Sequence, residues 1–189
     1  MFEVHGNTEG IRQTDIKRLQ ALYMAELDAQ EFLTLELADA MAQMSCAINR
    51  EIALYISRSG EILDIMIGDT DSVALPEYRL RRRFDALSKI RVIHTHPLGT
   101  AKLSQLDITA LISLHLDAIC AVGLSADGSI NGISAAFMTG WCQGQPVIEE
   151  TPVYPFSKIQ RLNWMEHIAE CDRAYQPEAL NPEDQTERA

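Results

Sequence analysis

The chain predicts an α/β fold, a central and mostly buried mixed sheet flanked by helices, in one domain with a C-terminal helix and a disordered acidic tail. Three observations predict it. The 189 residues suit a single domain, and 47% of them are hydrophobic, enough for an ordinary core. Near residue 50 the apolar spacing changes from three and four to two, the change from helix to strand. Beyond that point strand-like and helix-like stretches alternate. Residues 1–150 are expected to form the α/β domain, 151–176 an extended segment and helix, and 177–189 an acidic linker or tail.

After the Gly6 to Gly10 opening, Thr14 is expected to cap a helix whose face carries Ile16, Leu19, Leu22 and Tyr23. From Thr34 a second helix presents Leu37, Met41, Met44 and Ile48 as one apolar stripe. Ile52, Leu54 and Ile56 alternate, Arg58-Ser59-Gly60 turns the chain, and Ile62 to Ile67 returns it, which predicts a β-hairpin ending at Gly68-Asp69. Ile90, Val92 and Ile93 read as a buried strand running into His94. Ser104 opens a helix, Ala118 to Gly123 and Ile130 to Met138 form two further strands about the Asp127-Gly128 turn, and Val153-Tyr154-Pro155 is extended. Ile159, Leu162, Met165 and Ile168 stripe a final helix, and the acidic, proline-bearing end has the composition of a disordered segment.

The net charge of −11 argues against coating nucleic acid, so DNA is not an expected partner. No stretch approaches a membrane span and Met1 to Gly10 has no signal-peptide pattern, so a cytoplasmic protein with no membrane partner is expected. The four cysteines lack CxxC spacing and lie among apolar residues, which predicts buried, reduced thiols.

One segment carries chemistry. On a strand, residues two apart point the same way, so His94 and His96 offer two imidazoles on one side of the strand's carboxyl end. Asp107, in the first turn of the next helix, could supply a third ligand. Two histidines and a carboxylate leave a tetrahedral zinc ion one open position, the arrangement of a catalytic site. Ser104-x-x-Asp107 ahead of an apolar run is equally a helix capping box. Glu51 at a helix-to-strand junction is equally a solvated carboxylate.

The pattern His94-x-His96-Pro97, six residues, then Ser104-x-x-Asp107 resembles that of the JAMM (MPN+) metalloproteases, which also use an upstream glutamate where Glu51 stands. This resemblance implies a zinc metallo-(iso)peptidase. His94, His96 and Asp107 would hold Zn2+, Glu51 would take a proton from the catalytic water, and Ser104 would donate to the oxyanion.

A second resemblance covers about residues 5–135. Gly6-Asn7-Thr8-x-Gly10, Leu35 to Ala38 through Asn49-Arg50, Ile67-Gly68-Asp69, and Ile93 to His96 followed by Leu103-x-x-x-Asp107-Ile-Thr resemble the N-terminal region of HflX-type GTPases. It implies a regulatory, ribosome-binding domain of a GTP-binding protein, with the 50S subunit and its rRNA as partner, and this is the leading expectation, the metallopeptidase its alternative. This chain has no GxxxxGK[ST] loop and no NKxD element, so GTP and Mg2+ would enter only through a G domain it lacks, and no GTPase activity is expected of it. Its end, Asp184 to Ala189, resembles the linker before a first G-domain strand, which implies an excised domain or a truncated paralogue. The basic run with Arg79, Arg81, Arg82 and Arg83 is either a contact to rRNA phosphates or a solvated loop.

Overall fold

A computed structural model describes residues 2–25, 27–69, 89–142, 145–159 and 162–175. Its strands are β1 (Val4–Gly6), β2 (Ile52–Ser57), β3 (Ile62–Ile67), β4 (Ile90–His96), β5 (Ala118–Leu124), β6 (Ile130–Cys142) and β7 (Gln145–Pro152). Its α-helices are α1 (Gln13–Ala21), α2 (Leu35–Ile48), α3 (Gln105–Ser113) and α4 (Trp164–Tyr175). The strands form one mixed sheet in the order β1-β3-β2-β4-β5-β6-β7. β1 runs parallel to β3 and β4 parallel to β5, while the other neighbours are antiparallel. The predicted α/β class with a buried mixed sheet is what the chain adopts.

Strand alternation divides the core between the two faces of the sheet. Ile52, Leu54, Ile56 and Ile93 point to the face covered by α1, α2 and α4, where they meet Leu19, Met41 and Trp164. Ala53, Tyr55, Val92 and Ile119 point to the other face, which α3 covers through Leu111. Each fully buried side chain of this kind contributes about 1.5–3 kcal/mol, so the face a residue occupies is strongly determined. The guanidinium of Arg58 in the β2–β3 turn donates to Asp117 at 2.6 and 2.8 Å and to Asp172 at 2.8 Å, tying the hairpin to the residue before β5 and to α4.

Several elements differ from the sequence expectation. Thr14 is not a cap: α1 starts at Gln13, after Arg12, whose carbonyl accepts the Asp15 and Ile16 amides. Packing of Ile11 and Ile16 on the core, rather than a polar side chain, sets that start. Ile159 and Leu162 precede α4 and reach the core from a turn, because Asn163 Oδ1 accepts the Glu166 amide and starts the helix after it. Cys46 is exposed on α2, whereas Cys120 and Cys171 are buried as expected. β1 and β7 were not foreseen, and β6 continues past Met138 to pair with β7.

Val153, Ile159, Trp164 and Ile168 share the principal core with α1 and α2, so the segment after residue 150 packs as part of the same unit. Among the described residues, no helix is long and apolar enough to cross a membrane.

Candidate metal centre

His94 and His96 occupy the carboxyl end of β4, beside the parallel strand β5, and α3 forms the crossover between the two. Crevices outside the carboxyl ends of parallel strands are where open α/β sheets bind ligands. His94 has the same parity as Val92, so both histidines face the α3 side of the sheet. Ala53 pairs with His94 across the antiparallel β2–β4 ladder, and Glu51, two residues earlier, falls on that face too.

There a cleft of about 880 Å³ is lined by Glu51, His94, His96, Ser104 and Asp107, with Tyr55, Val92 and Ile119 on its apolar floor. The structure therefore brings all five residues of the sequence motif to one cavity. Glu51 is only 5% exposed, which rules out the reading of it as a solvated carboxylate.

One ligand atom from each of His94, His96 and Asp107 lies within 4.8 Å of the others. Nε2 of His94 is 2.9 Å from Nε2 of His96 and 3.4 Å from Oδ1 of Asp107. Tetrahedral zinc with bonds of about 2.0–2.1 Å separates its ligands by about 3.3 Å, and these distances bracket that value.

The tautomers follow from the remaining nitrogens. Nδ1 of His96 lies 2.8 Å from the Thr100 carbonyl, which only accepts, so Nδ1 carries the proton and Nε2 a lone pair. His94 is hydrogen-bonded to the Cys120 backbone in a way that favours its protonated form, as a carbonyl acceptor at its other nitrogen does. The two Nε2 lone pairs consequently face each other and the Asp107 carboxylate, an arrangement of three acceptors that a cation would relieve. A proton serves poorly at neutral pH, because burial pushes the His94 imidazolium down to about 4, against the opposing pull of Asp107. These residues can hold a divalent metal ion, with their outer hydrogen bonds orienting the ligand atoms.

The capping box is formed, and it leaves the second Asp107 oxygen toward the histidines. Oδ2 of Asp107 accepts from the Ser104 amide and the Ser104 hydroxyl, each at 2.7 Å, while Ser104 Oγ accepts the Asp107 amide at 3.2 Å. Oδ1 faces His94. The Ser104 hydroxyl proton is thus directed at Asp107, and donating to an oxyanion would require it to rotate away.

Three contributors lay outside the sequence reading. The Thr100 carbonyl orients His96, and the loop bearing it is held by the Gly99 amide on the His96 carbonyl at 3.2 Å and by Asn131 Nδ2 on the Gly99 carbonyl at 3.1 Å. Gly123 on β5 lies beneath that loop, and a β-carbon there would come within 2.5 Å of the Ala101 nitrogen. Thr95, between the two histidines, bonds on the opposite face. A glycine inside an apolar strand was the one available signal, since it marks a close backbone approach. Arg79, Arg81, Arg82 and Arg83 lie outside the described residues. Comparisons with protein-family models, curated proteins and solved structures find no match.

Proposed function

We propose that this chain is a zinc-dependent hydrolase of peptide or isopeptide bonds, as the JAMM-type motif implies. The observation that carries the reading is the convergence of His94 Nε2, His96 Nε2 and Asp107 Oδ1, with Glu51 lining the same buried cleft. His94, His96 and Asp107 would hold the ion, the two imidazoles as neutral donors and the carboxylate as the anionic one. When bound, zinc supplies Lewis acidity that polarises a carbonyl and makes water a nucleophile near neutral pH. Glu51 acts as the proton carrier, accepting from the attacking water and delivering to the leaving amine. Ser104 orients Asp107 through its two hydrogen bonds to Oδ2. The apolar floor formed by Tyr55, Val92 and Ile119 limits water around the reacting groups.

The test combines metal analysis with turnover of internally quenched peptides and a Lys ε-amino-linked isopeptide. Wild-type protein should carry stoichiometric zinc, and Glu51→Gln should keep the zinc while losing roughly 10²- to 10⁴-fold in turnover. Zinc-free wild-type protein, or a fully active Glu51→Gln variant, would remove the reading.

A second reading rests on the resemblance of residues 5–135 to HflX-type GTPases and on the basic run at Arg79 to Arg83 in a chain of net charge −11. In it the domain binds the 50S subunit. Cosedimentation with 50S subunits should then weaken, and lose part of its salt dependence, when Arg81, Arg82 and Arg83 are neutralised. Unchanged sedimentation at several salt concentrations would count against any contact by that run.

A further inference from the structure

Thr95 sits between the two ligand histidines, and strand alternation turns its side chain to the opposite face of the sheet. There its hydroxyl accepts the Ile52 amide at 3.0 Å and donates to Ser45 Oγ at 2.8 Å. Ser45, in α2, donates in turn to the Arg50 carbonyl at 2.7 Å. Both side chains are fully buried. This pair of hydroxyls therefore grips the residue before Glu51 and the residue after it, and does so from the strand that carries His94 and His96.

Further bonds around Glu51 come from elsewhere in the fold. Asn49 ends α2 in the left-handed region, at φ 50°, and the Arg50 amide closes on the Ser45 carbonyl at 3.2 Å. The Glu51 amide donates to the Asp69 carbonyl at 2.8 Å, and the Gly68 amide donates to the Glu51 carbonyl at 2.9 Å. These contacts fasten Glu51 to α2 and to the segment after β3, but none reaches β4. The β2–β4 ladder pairs Ala53 with His94 and ends there. Beyond that pair, the Thr95 hydroxyl links the backbone on either side of Glu51 to the strand that carries His94 and His96.

We infer that Thr95 and Ser45 are positioning residues, which hold Glu51 in register with His94 and His96 so that its carboxylate meets the proton it must accept. The inference rests on the hydrolase reading. Proton transfer tolerates little displacement, and a misplacement of about 1 Å can cost about 10²-fold in rate. Neither hydroxyl has a described bond to a ligand atom, so ion binding is predicted to be insensitive to them. That separates positioning from a role in holding the metal.

The experiment compares Thr95→Val, which keeps the shape and removes the hydroxyl, with Thr95→Ser, which keeps the hydroxyl. Three quantities are read: zinc affinity, the kcat and KM of quenched-peptide hydrolysis, and the deuterium exchange rate of the Ile52 amide. Thr95→Val should lower kcat roughly 10- to 100-fold while KM and zinc affinity stay within about twofold of wild type. The Ile52 amide should exchange at least about tenfold faster, and Thr95→Ser should restore both properties. Ser45→Ala, which releases the Arg50 carbonyl but keeps the bond to Ile52, should lower kcat in the same direction by less, and it serves as the test if Thr95→Val does not fold. Wild-type kcat in the hydroxyl-free variant, failure of Thr95→Ser to restore it, or zinc affinity falling in step with kcat would each overturn the inference. A wild-type protein without zinc-dependent turnover would overturn the hydrolase reading itself, a different result seen before any variant is made.

Discussion

Oδ1 of Asp107 lies 3.4 Å from Nε2 of His94 while Oδ2 of the same carboxylate closes the cap of α3 on Ser104. The two oxygens thus face two ways: one caps a helix, the other meets the histidines as the proposed third ligand. The cap is the means of alignment, because two bonds from Ser104 leave the carboxylate little freedom to turn Oδ1 away from the histidines.

Substitutions at the two residues should separate these purposes. Asp107→Asn keeps an oxygen for the cap but loses the anionic ligand, so stability should hold while zinc binding is lost. Ser104→Ala should cost about 1 kcal/mol of stability through the missing cap. It should also weaken zinc binding roughly 10-fold through the loosened carboxylate. Urea denaturation and zinc titration of both variants check this, and an Asp107→Asn variant with wild-type zinc affinity would show that the carboxylate only caps.

Gly123→Ala should damage the metal centre from the neighbouring strand. Its β-carbon would meet the Ala101 nitrogen at 2.5 Å and the Thr100 carbonyl carbon at 2.7 Å, and backbone at that range must move. Movement takes the Thr100 carbonyl from His96 Nδ1, so zinc affinity should fall roughly 10- to 100-fold. Overpacking should cost about 1–3 kcal/mol besides. Gly132→Ala is the control, because its β-carbon would meet only the Ala101 side chain, at 3.3 Å. Equal zinc affinities in the two variants would contradict the argument.

Metal-free protein should lose stability as the pH falls from about 6.5 to about 4, the ordinary and the folded values for His94. Burial lowers the folded value, so within this window the unfolded chain takes up a proton that the folded chain refuses. The loss is absent above the window and complete below it. Urea midpoints at neutral pH and near pH 4, for wild type and His94→Asn, measure it. A variant that loses as much as wild type would place the acid sensitivity elsewhere.

The periodic elements were legible because their signal is local. Thr34 caps α2 through the Leu37 amide, and the Ile52 and Ile62 runs form the hairpin that their alternation indicates. The convergence of His94, His96 and Asp107 was legible for the same reason, since strand parity and a first helical turn fix where they point. β1 is only Val4–Gly6, too short to alternate, and Gln145–Pro152 carries two prolines and two glutamates, the composition of a loop. Both strands exist because a neighbouring edge accepts them. Arg91 shows the same limit: it is fully buried in β4, its guanidinium 5.1 Å above the Trp164 ring, and no local pattern reports a partner 73 positions away in the chain, from 91 to 164. The roles of Thr95 and Gly123 likewise depend on which backbone lies opposite.

The stretch from His94 to Asp107 supplies the three proposed ligands of the ion, whereas Glu51, the proposed proton carrier, arrives from a different part of the chain. Inheritance can therefore uncouple the two. A lineage in which position 51 drifts would keep its ion and lose its reaction, becoming a domain whose metal serves shape or recognition. Drift within the ligand stretch would abolish both at once.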